Sequence, residues 1–149
     1  MRAVVQRVNY ARLTVDGEIV SHIGRGILVL LGAQTGDGEK DIDYIVKKSA
    51  SLRIFSDDEG KMNLSVKDVG GEIMVVSQFT LLGDARKGNR PSFVLAGEHE
   101  NSKKLYEEAV NRFNKTEVPV KTGIFGADMK IAFENDGPVT ILLDSRKAF

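Results

Sequence analysis

The sequence has no cysteine among its 149 residues. Disulfides and thiolate chemistry are therefore excluded, and the absence fits a reducing compartment. Histidine is scarce as well: His22 and His99 lie far apart, with no ligand pattern around either. A metal centre needs clustered His, Cys or carboxylate ligands at set spacings, so neither a metal nor another cofactor is expected. Both histidines read as surface or hairpin residues. Long apolar runs are missing. The longest, Ile27 to Leu31, is far short of the ~20 residues that cross a bilayer as a helix. Met1-Arg2-Ala3-Val4-Val5-Gln6-Arg7 reads as a strand and not as a signal peptide, because no apolar stretch follows its charge. A cytoplasmic protein with no membrane partner is the expectation. Neither sign of charge is in excess, with Lys plus Arg and Asp plus Glu at 21 each. Proteins that grip long stretches of nucleic acid usually carry a basic surplus, because phosphate neutralisation drives their binding. The balance leaves room for a protein that handles one end of an RNA. Gly24-Arg25-Gly26 lacks a further glycine at phosphate-loop spacing, and no Gly-Lys-Ser or Gly-Lys-Thr occurs, so nucleotide hydrolysis has no support.

What is present is a strand-rich chain with two helical stretches. Its length fits one domain, residues 1–149, and no linker, repeat or low-complexity tract divides it. Ala3 to Val8 and Leu13-Thr14-Val15 are β-prone, and Asp16-Gly17 before Glu18-Ile19-Val20 predicts a tight hairpin. Gly26 and Gly32 bracket an unbroken apolar run, the pattern of a strand buried on both faces. Asp37 or Asp41 is placed to cap a helix carrying Ile42, Ile45, Val46 and Ala50 at helical spacing. Asp57 to Lys61 is a polar turn. Glu72 to Val76 is a buried strand that runs directly into Ser77-Gln78-Phe79-Thr80. A second helix is predicted over roughly Ser102 to Lys115, with Leu105, Tyr106, Ala109, Val110 and Phe113 on its apolar stripe. Two closing strands, Met129 to Phe133 and Val139 to Leu143, flank Asn135-Asp136-Gly137-Pro138. The fold class is α/β, mixed and strand-rich: a barrel-like mixed sheet with two flanking helices.

Serine and threonine nucleophiles need an adjacent base. Ser77 and Thr80 have no histidine near them in sequence, so a hydrolase built on them would draw part of its chemistry from the substrate or from backbone groups. Taken alone, Ser77-Gln78-Phe79-Thr80 also fits a strand end with Phe79 in the core, and Gly137-Pro138 fits a turn.

Together the two segments resemble the paired signatures of the D-aminoacyl-tRNA deacylases. Further similarity lies in Gln6-Arg7-Val8, Arg53-Ile54-Phe55-Ser56, Gly60-Lys61-Met62-Asn63-Leu64, Arg90-Pro91-Ser92-Phe93, Thr122-Gly123, Phe125 and Ala127-Asp128-Met129. The resemblance spans the chain from its first strand to about Leu143. It implies a homodimeric hydrolase of D-aminoacyl-tRNA and of glycine mischarged on tRNA, with active sites at the subunit interface. Ser77, Gln78, Phe79 and Thr80 would form the catalytic segment, with Thr80 positioning the substrate or acting as nucleophile. Gly137, Pro138, Val139 and Thr140 would enter the partner's site, the Gly137-Pro138 bond being cis, and backbone carbonyls there would reject L-amino acids. Arg7 would hold that segment. Phe79, Phe125 and Met129 would wall the site or stack on the terminal adenine, and Arg86, Lys87 and Arg90 would meet acceptor-end phosphates. Two readings remain beside this one: a nucleic-acid-binding module without hydrolysis, and a general esterase acting through Thr80.

Overall fold

The computed structural model describes residues 1–149. A mixed sheet curls into a nearly closed barrel, and two helices pack on one side of it. In chain order the elements are β1 (Arg2–Val15), β2 (Glu18–Ile23), β3 (Gly26–Gly32), α1 (Glu39–Ser51), β4 (Phe55–Ser56), β5 (Met62–Leu64), β6 (Glu72–Ser77), a 3-10 turn (Phe79–Leu82), α2 (His99–Asn114), β7 (Val120–Thr122) and β8 (Met129–Asp144). The main sheet runs β2-β1-β3-β6-β7, and β8 also pairs with β1; β4 and β5 form a separate small hairpin.

The predicted hairpin closes at Asp16-Gly17, where both residues have positive φ, as a type I′ turn demands. The expected pair of early strands is one 14-residue strand, β1, whose first half pairs with β3 and whose second half pairs with β2. The two expected closing strands are likewise one. β8 follows β1 along nearly its whole length, and the register slips between Gln6 and Val8 and again between Val8 and Tyr10. Gly137-Pro138 therefore lies in an irregular stretch of a continuous strand and not in a reversing turn, because both halves of β8 find the same long neighbour.

β3 and β6 pair in parallel at the centre. Their alternate residues serve two apolar clusters. Ile27, Val29, Leu31, Ile73 and Val75 face α1 and α2, meeting Ile42, Ile45, Tyr106, Ala109 and Phe113. Leu28, Met74 and Val76 face the barrel interior, with Val8, Leu13 and Ile23. Double-sided burial is what the unbroken apolar run required, and each such side chain stabilises the fold by about 1.5–3 kcal/mol.

At the start of α1 the roles of the two candidate caps separate. Gly38 is the cap residue, and its N–H donates to Asp41 Oδ2 at 2.9 Å from the third helical position. Asp37 instead lies buried, with Oδ2 at 2.6 Å from the Met1 ammonium and Oδ1 at 2.9 Å from Arg146 Nη2. It fastens the start of β1 to the segment after β8. α2 begins at His99, three residues ahead of the predicted start.

Candidate active site

β6 ends at Ser77, and the chain turns at once into the 3-10 helix. The Gln78 N–H donates to the Leu31 carbonyl at 2.7 Å, which ties that turn to the end of β3. Gly32 makes the approach feasible: a Cβ there would stand 2.7 Å from the Gln78 carbonyl oxygen and 2.6 Å from Leu82 Cδ2. Gln78 Nε2 donates to Thr80 Oγ1, fixing the two side chains relative to each other. As the first residues of a 3-10 turn, Phe79 and Thr80 carry N–H groups that have no partner inside it.

This turn forms one wall of a cleft of about 510 Å³. Ser77, Gln78 and Phe79 face Phe125 and Met129 across it, and His99 and Ser102 at the start of α2 line it as well. Phe125 is held between two rings, His99 at 5.2 Å and Tyr106 at 5.7 Å between centroids. Tyr106 is buried and donates its hydroxyl to the Val75 carbonyl at 2.8 Å, and burial pushes that hydroxyl's pKa up to about 12. The cleft's aromatic floor is thereby anchored to the strand that delivers Ser77. Met129 is half-buried and does two jobs, packing on the barrel cluster while lining the cleft. Thr80 is exposed beside the cleft and outside its lining.

The structure therefore gathers Ser77, Gln78, Phe79, Phe125 and Met129, which lie up to 52 positions apart in the chain. Sequence reasoning missed His99 and Ser102. Two positions at a helix start carry no signal of what lies across a cleft; the folded cleft places both, and His99 also meets Phe125 edge-on.

Arg7, Gly137, Pro138, Val139 and Thr140 form a second cluster that contributes nothing to the lining of that cleft. Arg7 is only 12% exposed. Its Nε lies 3.2 Å from the Asp136 carbonyl oxygen and 3.0 Å from Asp136 Oδ2, and its Nη1 donates to the Ile54 carbonyl at 2.5 Å. A solvent-facing Arg7 is thus excluded. The Asn135 amide spans the irregular stretch, with its nitrogen 3.1 Å from the Val139 carbonyl oxygen and 3.0 Å from that of Arg7, and its oxygen 3.1 Å from Thr140 Oγ1. Gly137-Pro138 is a cis peptide, and Gly137 has φ +123°. Gly137, Pro138 and Thr140 are exposed while Val139 is buried in the core. Along the register, Arg7 is level with Ile27 and Ile73, whereas Ala3 is level with Leu31 and Ser77. Four residues along the strands and three strands across put the two clusters roughly 20 Å apart over the sheet.

The basic loop beyond the cleft is only partly available. Arg86 is paired bidentately with Asp84, at 2.9 Å and 2.6 Å, and these bonds hold the Asp84 carboxyl well below the usual carboxylate range. Lys87 and Arg90 are exposed, with no carboxylate partner.

A nearly closed mixed barrel with two flanking helices thus carries a cleft where a buried strand ends in a Ser-Gln-Phe-Thr turn. Residues 4–144 match the family model described as D-Tyr-tRNA(Tyr) deacylase. The chain is 55% identical to the D-aminoacyl-tRNA deacylase of Thermoanaerobacter sp., with each chain covered completely. It is also 55% identical to that of Geobacter sulfurreducens, over 98% of this chain and 96% of the relative. Among solved structures, the c-Myc DNA unwinding element binding protein superposes with a TM-score of 0.92 at 47% identity, covering 97% of this chain and 98% of that one. A probable eukaryotic D-amino acid tRNA deacylase shares the fold, with a TM-score of 0.76 at 19% identity over 95% and 97% of the two chains. The chain belongs to the D-Tyr-tRNA(Tyr) deacylase family and is a hydrolase.

Proposed function

We propose that this protein is a chiral proofreader of translation, hydrolysing the ester of D-aminoacyl-tRNA and of glycine mischarged on tRNA at a cleft completed by a second copy of the chain. Deacylation of D-aminoacyl-tRNA is the activity that family membership carries. Water adds to the ester carbonyl, the ribose oxygen leaves, and free amino acid and tRNA are the products.

The observation that carries the two-copy reading is the separation of the motifs. The Ser77 cleft takes no lining from residues 136–140, yet Gly137 and Pro138 stand exposed on a segment held in place by Arg7 and Asn135. Apolar side chains flank both places. Leu142 is exposed on the strand of Pro138, and Phe79, Phe93, Val94 and Leu95 are exposed beside the cleft, an arrangement that a homodimer would cover. In that dimer, carbonyl oxygens of the partner's Gly137-Pro138 segment stand near the α-carbon of the bound amino acid. Rigid backbone excludes an L side chain whatever its chemistry, while a D side chain points away and glycine has nothing to exclude.

The chemistry uses what the cleft offers. The turn N–H groups of Phe79 and Thr80 stabilise the developing oxyanion. Gln78 and Thr80, bonded to each other, position the ester, and the neighbouring ribose hydroxyl helps activate water. Phe125 and Phe79 supply a surface for the terminal adenine. A cytoplasmic site of action follows from the substrate, and no helix is long and apolar enough to cross a membrane.

The test is deacylation of one tRNA charged separately with D-tyrosine, L-tyrosine and glycine. Release of the D form and of glycine, with the L form untouched, is expected. Equal release of both enantiomers would overturn the sieve, and no release at all would leave a binding module.

A further inference from the structure

The larger concavity of the surface lies away from the Ser77 cleft. It is a groove of about 780 Å³ between α1, α2 and the segment after β5, and most of its lining residues are polar or charged. Five cations line it: Lys47, Arg53, Lys67, Arg112 and Lys115. Two of its three carboxylates are committed to one cation, and the third faces Arg53 and Lys67. Asp43 and Glu108 both pair with Arg112. Asp68 is bonded to the N–H and hydroxyl of Ser65, and chiefly these bonds hold its carboxyl below the usual value. Lys67 pairs with Glu117 on the groove's outer side. Lys47, Arg53 and Lys115 make no ion pair. Arg53 spends only Nε, on the Asn63 carbonyl at 2.9 Å, which leaves its other guanidinium donors free. On a chain of zero net charge, a groove lined by five cations against three carboxylates, Asp43, Asp68 and Glu108, is locally basic.

We infer that this groove is a second RNA contact, binding the phosphodiester backbone of the substrate tRNA's acceptor stem while the Ser77 cleft holds its aminoacylated end. The inference rests on the deacylase reading above. α2 sets the geometry. His99 and Ser102 at its start line the cleft, and Arg112 with Lys115 at its end lines the groove. Sixteen residues of helical rise separate His99 from Lys115, about 24 Å, the scale of a short single-stranded 3′ end followed by the first phosphates of a stem. Phosphate contacts fix register on a duplex without reading sequence, which suits an enzyme that must accept many tRNAs. The saturated Arg112 holds α1 against α2 through Asp43 and the Glu39 carbonyl and so keeps the groove's walls apart at a fixed width.

The experiment compares wild type with a Lys47→Glu/Lys115→Glu variant on two substrates, D-tyrosyl-tRNA and D-tyrosyl-adenosine. On the tRNA, KM is expected to rise about tenfold at low salt with kcat little changed, and the log–log salt dependence of kcat/KM to flatten by roughly 1–2 units. Turnover of the adenosine ester, which has no stem, stays at the wild-type rate. Equal KM and equal salt slope on the tRNA would overturn the groove. Equal losses on both substrates would overturn it too, by showing damage to the cleft. Anisotropy with labelled uncharged tRNA keeps the two proposals apart. Should wild type deacylate neither substrate, the deacylase reading falls, yet weaker tRNA binding by the variant would still support the groove, and equal binding would refute it. Lys47→Gln/Lys115→Gln, which removes charge without reversing it, is expected to show about half the logarithmic effect.

Discussion

Replacing Gly137 with alanine tests the exposed Gly-Pro segment of the proposed site. Its φ of +123° lies where an L side chain is strained by about 1–3 kcal/mol. The new Cβ would also stand 2.8 Å from Val139 Cγ2 and 2.9 Å from Arg7 Nη2. Val139 is buried, so that contact persists as overpacking, while the Arg7 guanidinium must give and its bond to the Asp136 carbonyl is lost at a cost of about 1 kcal/mol. Backbone strain and the lost bond alone come to about 2–4 kcal/mol, which for a protein of this size lowers Tm by roughly 5–15 °C. Calorimetry reads that number. Deacylation of D- and L-tyrosyl-tRNA below the variant's Tm reads the functional half, where release of the D form is expected to fall and the D-over-L preference to weaken. A Tm within about 1 °C of wild type, together with an unchanged preference, would refute both the strain argument and the role given to this segment.

Two further outcomes are expected. Thr80→Ala should lower kcat by about one order of magnitude while leaving turnover measurable, because positioning is shared with Gln78 and the ribose hydroxyl; complete loss in a folded variant, or an aminoacyl adduct on wild-type Thr80 seen by mass spectrometry, would make Thr80 the nucleophile instead. Tyr106 has a folded-state pKa pushed up to about 12, above its unfolded value near ~10. Its stabilising contribution is therefore complete below pH ~10 and is lost as pH rises towards ~12, by about 2–3 kcal/mol. Urea unfolding across that window should show this loss in wild type and not in Tyr106→Phe, and parallel slopes for the two would disprove it.

Much of this protein was readable along the chain wherever the signal is local. Asp16-Gly17 specified its hairpin because few residues accept positive φ in succession. The bracketed run Ile27 to Leu31 announced a strand buried on both faces, and α1 and α2 were visible in their apolar spacing. Composition limited the chemistry, since without cysteine and with two separated histidines few catalytic devices are available. The two signature segments stood out through their resemblance to a family, not through any property of four residues taken alone.

Contacts between distant residues were settled by tertiary structure. Two apparent closing strands became β8 because β1 is long enough to template both halves, and pairing of that kind depends on the partner and not on the strand's own sequence. Asp37, a plausible cap by position, went instead to a buried ion pair once the fold brought the Met1 ammonium and Arg146 to it. His99 joined the cleft only because Tyr106, a core residue two helical turns away, sets the ring of Phe125 against it. Periodicity and turn chemistry act over a few residues and leave their mark in the chain. The roughly 20 Å over the sheet between the Ser77 and Gly137 segments, on which the proposed two-copy site rests, exists only in the fold.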